Sequence, residues 1–324
     1  LPEGENNMPK VVEALKLLGA DVVYDTLFSA DLTIVEEGNE FAELITNSPD
    51  KLPLFTSCCP AWVKFCEENF PDLAGHISTA RSPQQMLGAV LRNKYSDPAY
   101  SNGKKVKVVS IMPCTAKKAE LKRKESSTFG TADIDFSLTT IELAQMIEDA
   151  GIDFAALCGD APVAPYGEGS GGAAIFGVSG GVMEAAIRYL LPEFGDEELK
   201  ALAESGVRGP GGTREFTINY QGQDLKIAVV SGLGNARTLI ERIRAGKHFD
   251  FVEVMACTGG CVMGGGQPVD FYGKQRQSRN RTAGIRRTDE QSRWRRTNEN
   301  NFVLDELATS IKDQEHRLLH RNLD

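Results

Sequence analysis

No apolar run in these 324 residues approaches the roughly 20 that a membrane-spanning helix needs, so no helical span is expected. No charged-then-apolar leader precedes the first helical segment. The chain starts at Leu1 rather than Met, and we read it as lacking its natural beginning, with targeting left open. An excess of positive charge is also missing: 36 Lys and Arg against 45 Asp and Glu leave a net charge of -9, which argues against nucleic acid as a partner. The local exception, Lys274 to Arg296, has little aromatic interleaving beyond Trp294 and is expected to be a solvated flank. Histidine is scarce. Of the four, His316 and His320 are spaced i, i+4 beside Glu315, but no third ligand is evident and a helix face is expected, while His76 and His248 suggest nothing specific. The Gly-rich stretch from Gly167 to Gly181 lacks the Lys-Ser/Thr ending of a phosphate loop. An even cysteine count is absent as well. Seven cysteines, two of them adjacent, do not make a secreted disulfide framework and fit a reducing compartment and metal chemistry.

What is present suits a folded α/β protein. At 41% apolar and 25% charged, the chain is long enough to bury one large core or two. Apolar periodicity predicts helices over Pro9–Leu18, Pro60–Asn69, Pro83–Arg92, Ile141–Ala150, Gly180–Leu191, Ala236–Ala245 and Phe302–Leu319. Strands are expected over Asp21–Tyr24, Leu52–Thr56, Val106–Met112, Phe136–Thr139, Glu215–Tyr220, Leu225–Ser231 and Phe249–Met255, with a hairpin turn at Gln221-Gly222. Alternation of the two argues for mainly parallel sheets.

Three of these strands each run into a cysteine. Leu52–Thr56 leads to Cys58-Cys59, Val106–Met112 to Cys114, and Phe249–Met255 to Cys257. Ligands gather at the carboxyl ends of strands in open α/β sheets, so the three segments can converge on one site. Cys261 follows Cys257 by four residues, and on a helical turn the two sulfurs would share a face. Four thiolates suit an iron-sulfur cluster or zinc. Their spread over some two hundred residues favours the cluster, because structural zinc usually takes two close pairs on a small knuckle. Buried structural cysteines are the plain alternative. The glycine tract Gly264-Gly265-Gly266 after Cys261 favours close approach of backbone to a bulky inorganic group.

Three segments carry a family resemblance: Thr56-Ser57-Cys58-Cys59-Pro60-Ala61-Trp62, Met112-Pro113-Cys114-Thr115-Ala116-Lys117-Lys118-Ala119-Glu120, and Glu253 through Cys257-Thr258-Gly259-Gly260-Cys261 to Pro268. They resemble the three signature motifs of the FeFe (iron-only) hydrogenases, intact and in family order. Ala30 to Glu37, Ser82-Pro83-Gln84-Gln85, Ile175-Phe176-Gly177 and Gly180 to Ala186 add to the likeness, which runs from about Val12 to Pro268.

The resemblance implies a fold of two lobes, each a mainly parallel twisted sheet flanked by helices, with the metal cluster in the cleft between them. Residues 1–100 would form the first lobe, 101–270 the second, and 271–324 a basic segment with a C-terminal helical tail. It implies reversible reduction of protons to hydrogen at a 4Fe-4S cluster held by Cys59, Cys114, Cys257 and Cys261. Cys261 would bridge to a two-iron subcluster carrying CO, cyanide and a bridging dithiolate. Cys58 would relay protons, continuing through Glu37, Ser78 and Glu40; without the resemblance, Glu36, Glu37 and Glu40 would read as an acidic helix start. Lys117 would bond a cyanide ligand, and Met112, Pro113, Phe176 and Met255 would form an apolar wall around the cofactor. Implied partners are a ferredoxin-like or other redox carrier and cofactor maturation proteins, in the cytoplasm or a hydrogenosome-like reducing organelle of an anaerobe.

The sequence also departs from the family pattern. The pocket-forming segment with an Ala-Pro-Ser-like turn before Val12 is absent, as are the N-terminal modules with accessory clusters, and Leu44 stands where the proton path usually ends in an arginine. The residues from Gly273 onward match no family function. Cys66 and Cys158 are expected to be buried spectators. Arg286, Arg287, Arg295 and Arg296 offer a way to steer an acidic carrier. Two alternatives compete: a hydrogen sensor of the same fold, and a hydrogenase-like iron-sulfur assembly protein. Cys58 and Lys117, retained with every cluster ligand, favour a catalyst.

Overall fold

Several helix starts are fixed by local chemistry. Ser82 accepts from Gln85 N while the Gln85 side chain bonds back to Ser82 N, and Thr139 with Glu142 repeats the arrangement. Pro60 and Pro83 open their helices where a backbone N–H has no intrahelical partner to lose. The structure is a computed structural model and describes residues 4–209 and 211–321. Its first half contains α1 (Met8–Leu17), α2 (Leu27–Asn47), β1 (Leu54–Phe55), α3 (Pro60–Asn69), α4 (Pro83–Ser96), α5 (Pro98–Ser101), β2 (Val109–Met112), α6 (Ala116–Glu120), β3 (Phe136–Thr139) and α7 (Thr140–Asp149). There follow α8 (Gly171–Ala174), α9 (Gly181–Leu190), α10 (Asp196–Leu202), β4 (Thr213–Tyr220), β5 (Gln223–Ser231), α11 (Leu233–Arg244), β6 (Phe251–Met255), α12 (Lys274–Gln291), α13 (Asn301–Ala308) and α14 (Glu315–Leu319).

The larger sheet has the order β1-β6-β5-β4. Leu54 and Phe55 of β1 pair parallel with Phe251 and Val252 of β6, which in turn lies parallel to β5. β4 adds an antiparallel edge through the hairpin at Gln221-Gly222, both of positive φ as a two-residue turn of this kind requires. A smaller sheet pairs β2 with β3 in parallel. These are the expected mainly parallel sheets flanked by helices, and the larger one joins β1 to strands that lie beyond residue 200. Strand β5 shows why: Ala228 and Val230 face Trp62, Phe70 and Ile240, whereas Leu225, Ile227 and Val229 face Phe41, Met183 and Ile187. A strand covered on both faces must be apolar on both.

Helix α2 did not stand out by periodicity. Phe28, Leu32, Ile34 and Phe41 are all buried, along with Asp31, Thr33 and Glu37, so its apolar residues wrap around it and no polar stripe marks the repeat. At Gly38 a Cβ would lie 2.6 Å from Tyr189 Cδ1, so glycine lets α9 lie close. Asp31 ties distant segments together. Its carboxylate accepts from Ser170 N and Oγ (2.7 and 2.5 Å), Thr297 Oγ1 (2.5 Å) and Asn300 Nδ2 (3.0 Å).

Several expectations fail for local reasons. Asp21–Tyr24 has no strand neighbour and is an irregular lead into α2. The terminal helix is broken into α13 and α14, separated by Asp313 in a left-handed conformation. Lys274–Arg296 is not a solvated flank: α12 packs over α8, with Ile285 in an apolar cluster with Ile34, Phe176 and Val262. Buried Arg188 bonds both Asp289 of α12 (2.8 and 2.9 Å) and Glu184 (2.6 Å), and Arg208 and Arg286 also pair with Glu184. Arg286, Arg295 and Arg296, considered for steering a carrier, are thus paired with Glu184, Asp289 and Glu299. Cys66 is buried as expected, but Cys158 is exposed.

Replacing Asp31 by Ala leaves four buried donors without their acceptor. We expect a loss of about 3 kcal/mol or more in urea unfolding of the full chain; a loss under about 0.5 kcal/mol would show that Asp31 does not hold these segments.

Candidate metal centre

Parallel pairing of β1 with β6 brings two cysteine-bearing strand ends side by side. The ladder continues past the strands: Thr56 N donates to Val252 O (3.0 Å), Val254 N to Thr56 Oγ1 (3.2 Å), and Ala256 N reaches Cys59 Sγ (3.5 Å). Trp62 Nε1 donates to Thr56 O (3.2 Å), anchoring α3 as the chain leaves Cys59. The end of β2 arrives from the smaller sheet. Gly266 N donates to Pro113 O (3.0 Å), and a Cβ at Gly264 would lie 2.1 Å from that oxygen. The glycine tract therefore lets the segment after Cys261 lie directly on the backbone leading to Cys114. No helical turn joins Cys257 to Cys261. Gly259 and Gly260, with φ of 88° and 96°, swing the chain back, and a Cβ at Gly260 would meet Ser179 N at 2.6 Å.

Electrostatics show the same convergence. Burial raises the Cys59 thiol first, and Cys114 raises it further. Cys257 is raised by burial, then by Cys114 and Cys59; Cys261 is raised by burial, then by Cys59, Cys114 and Cys257. All seven cysteines are free. Among the described residues no three His, Cys, Asp or Glu side chains are grouped to hold a single metal ion. A cube of irons takes one cysteine per corner and holds its ligands farther apart than one ion does. Thiols from four cysteines, with no imidazole or carboxylate among them, are the soft donor set that an iron-sulfur cluster takes.

Cys58 stands beside this set. Burial holds its thiol well above the usual range, the Glu37 carboxylate pushes it further the same way, and Lys117 opposes. Glu37 Oε1 accepts from Ser57 N (2.7 Å) and Ser57 Oγ (2.9 Å), while Oε2 is buried with no hydrogen-bond partner among the described residues. Burial raises the Glu37 pKa to about 7. Ser78 Oγ donates to Glu40 Oε2 (2.5 Å) and accepts from Ala80 N (3.1 Å). Lys117 Nζ donates to Cys58 O (3.2 Å) and to both Glu120 oxygens (3.2 and 3.0 Å). Burial alone would lower the Lys117 pKa, but Glu120 and the thiols of Cys58 and Cys114 raise it, so it stays cationic. Met112 and Met255 are buried at the ends of β2 and β6; Pro113 and Phe176 are half-buried.

Sequence reasoning missed the groups that hold these in place. Glu120 receives Ser82 Oγ (3.0 Å) and Gln84 Nε2 (2.8 Å) besides Lys117; the Lys117-x-x-Glu120 spacing on α6 was its signal. Glu253, on β6, accepts from Gly180 N (2.6 Å) and Met183 N (2.8 Å) at the start of α9. An acidic residue within an otherwise apolar strand was the visible clue.

The sequence matches, over residues 1–265, the family described as iron only hydrogenase large subunit, C-terminal domain. It is 43% identical over 320 residues to NADP-reducing hydrogenase subunit HndD of Solidesulfovibrio fructosivorans, covering 96% of this chain and 54% of that protein. It is 46% identical over 271 residues to the periplasmic Fe hydrogenase large subunit of Nitratidesulfovibrio vulgaris, covering 83% of this chain and 64% of the relative. The chain thus spans between half and two thirds of the length of these relatives. Identity to cytosolic iron-sulfur assembly component 3 of Bos taurus is lower, 31% over 299 residues, covering 86% of this chain and 62% of that protein. The fold is similar to that of a variant of FeFe-hydrogenase HydA1 from Chlamydomonas reinhardtii, with a TM-score of 0.82 and 35% identity over 99% of this chain and 89% of the other.

The buried carboxyls give a pH signature. Glu253 and Glu37 are each raised from 4.5 to about 7, the first cause being burial, so the folded chain holds protons there that the unfolded chain releases. Their contribution is complete below about pH 4.5 and is lost as pH rises through 7. For the cofactor-free chain, Glu253→Gln should flatten the fall in unfolding free energy between pH 5 and 8 by on the order of 3 kcal/mol. Parallel curves for the variant and the parent would contradict this.

Proposed function

The chain belongs to the iron-only hydrogenase large-subunit family, and from that membership we propose that it interconverts protons, electrons and molecular hydrogen. In this reading Cys59, Cys114, Cys257 and Cys261 would hold a 4Fe-4S cluster, and Cys261 would also hold a two-iron unit with CO, cyanide and dithiolate ligands. Bound there, the group supplies the metal at which the H–H bond is made or broken and through which electrons pass. The observation that supports this reading is the meeting of the cysteine-bearing segments: Ala256 N reaches Cys59 Sγ (3.5 Å), Gly266 N donates to Pro113 O (3.0 Å), and Lys117 Nζ donates to Cys58 O (3.2 Å).

The chain's own residues divide the remaining work. Cys58 keeps its proton at rest, because burial and Glu37 both disfavour the thiolate. A thiol that holds a proton yet can pass it on suits two-way transfer. Glu37, poised near neutrality, is the next acceptor, and the Ser78–Glu40 bond continues the path outward. Lys117 puts a fixed positive charge beside Cys58, held in place by Glu120, and supplies a charge-assisted donor to an anionic ligand. Met112, Pro113, Phe176 and Met255 limit water around the group. Electrons are exchanged with a ferredoxin-like or other redox carrier, and maturation proteins install the two-iron unit. Among the described residues no helix is long and apolar enough to cross a membrane. Higher identity to named hydrogenases than to the assembly component supports catalysis over assembly.

In the cofactor-loaded chain, Cys58→Ala should retain the infrared bands of metal-bound CO and cyanide while hydrogen turnover falls at least about a hundredfold, within the usual range for losing a proton-transfer group. Full activity would remove Cys58 from the path. Cys261→Ala should lose those bands, and their retention would contradict its bridging role.

A further inference from the structure

On α2, the turn after Glu40 presents Leu44, whose side chain packs with Phe41 and Leu54 in the apolar core and cannot carry a proton. The hydrogen bonds lead elsewhere. Leu319–Arg321 pairs antiparallel with Thr79–Arg81: Arg81 N donates to Leu319 O (2.7 Å) and Arg321 N to Thr79 O (2.7 Å). This pairing sets the His320 ring between two oxygens. Nδ1 is 2.9 Å from Thr79 Oγ1 and Nε2 is 2.8 Å from Glu36 Oε2. Thr79 Oγ1 also lies 3.2 Å from Glu40 Oε1. Ser78, Glu40, Thr79, His320 and Glu36 therefore form one unbroken chain of hydrogen-bonding side chains. It runs from a fully buried hydroxyl to the His320 and Glu36 side chains, which are 15% and 13% exposed.

We propose that His320, with Glu36 as the terminal carboxylate, forms the outer segment of the proton path, so that the C-terminal tail completes the route from Cys58 to solvent. This rests on the Cys58 relay reading above. One transfer balances as follows. Glu40 gives its proton to Thr79 Oγ1, Thr79 gives its own to His320 Nδ1, and Nε2 releases the proton it carried to the Glu36 carboxylate. The ring ends neutral in its other tautomer, and a ring flip or a passage in reverse resets it. An imidazole suits the position because its two nitrogens work on opposite edges, one accepting a proton while the other gives one up. The charged and titratable groups around it are Glu36, Glu37 and Glu40 on α2, the stacked ring of His316 on α14, Arg321, whose guanidinium donates to Ser78 O, and Arg81, which donates to His320 O.

The test uses the full chain. In the cofactor-loaded form, His320→Gln and His320→Ala should each lose roughly tenfold or more of hydrogen turnover near neutral pH, with Tm and CO and cyanide bands unchanged, and added imidazole should restore much of the Ala variant's rate. In the cofactor-free form, the ring 15N resonances of His320 should move with Thr79→Val at one edge and Glu36→Gln at the other. Parental turnover and pH profile in His320→Gln, with Cys58→Ala inactive, would overturn the proposal and leave the inner relay standing. A loss confined to His320→Ala and matched by a lower Tm would make the residue a structural latch and overturn it too. Full activity in Cys58→Ala would remove the reading on which it rests.

Discussion

The short parallel pairing of β1 with β6 is the constraint from which the rest follows. Only Leu54 and Phe55 pair with Phe251 and Val252, yet this register points both strands the same way and places Cys58-Cys59 next to Ala256-Cys257. The pairing is held from both faces by Phe55, Trp62 and Val252 on one side and by Phe41, Leu54 and Phe251 on the other. A one-residue slip would exchange these faces and send the cysteines to the wrong side. The apolar core and the arrangement of the cysteines are consequently one design.

Around that point the fold buries groups that soluble proteins usually keep in water. Glu37, Lys117, Glu120, Glu253 and Arg188 are all buried, and such burial costs several kcal/mol per group unless partners are provided. Partners are provided unevenly. Lys117 has Glu120, Glu253 has two backbone N–H groups, and Arg188 has two carboxylates on its terminal nitrogens though its Nε has no partner among the described residues, whereas Glu37 keeps one buried carboxylate oxygen without one. The first three are fixed supports. Glu37 alone combines a pKa near 7 with an unfilled acceptor beside Cys58, the combination a proton relay requires.

Much of this was legible from the residues. Cysteines at the tips of β1, β2 and β6 could be read because strands with alternating or continuous apolar patterns end abruptly at them, and the Pro60 and Ser82 helix starts carry local signals. What escaped depended on tertiary context. Helix α2 is covered on all sides and shows no amphipathic stripe, and α12 looked like a charged surface because the partners of its Arg286 and Asp289, Glu184 and Arg188, lie about a hundred residues earlier in the sequence. The i, i+4 pair His316 and His320 looked like a helix face. Only the antiparallel contact of the tail with Thr79–Arg81 shows that His320 turns inward to Thr79 and Glu36. Asp31 was noticed as part of a motif, but its four donors come from segments more than a hundred residues away.

The central claim is that four sulfurs from three strand tips hold one iron cube. It is tested most directly by anaerobic reconstitution of the chain with iron and sulfide, followed by metal analysis and low-temperature electron paramagnetic resonance. The account requires one 4Fe-4S cluster per chain, destroyed by Cys114→Ala and untouched by Cys66→Ala. A chain that takes up zinc in place of the cluster, or binds the same cluster without Cys114, would contradict it.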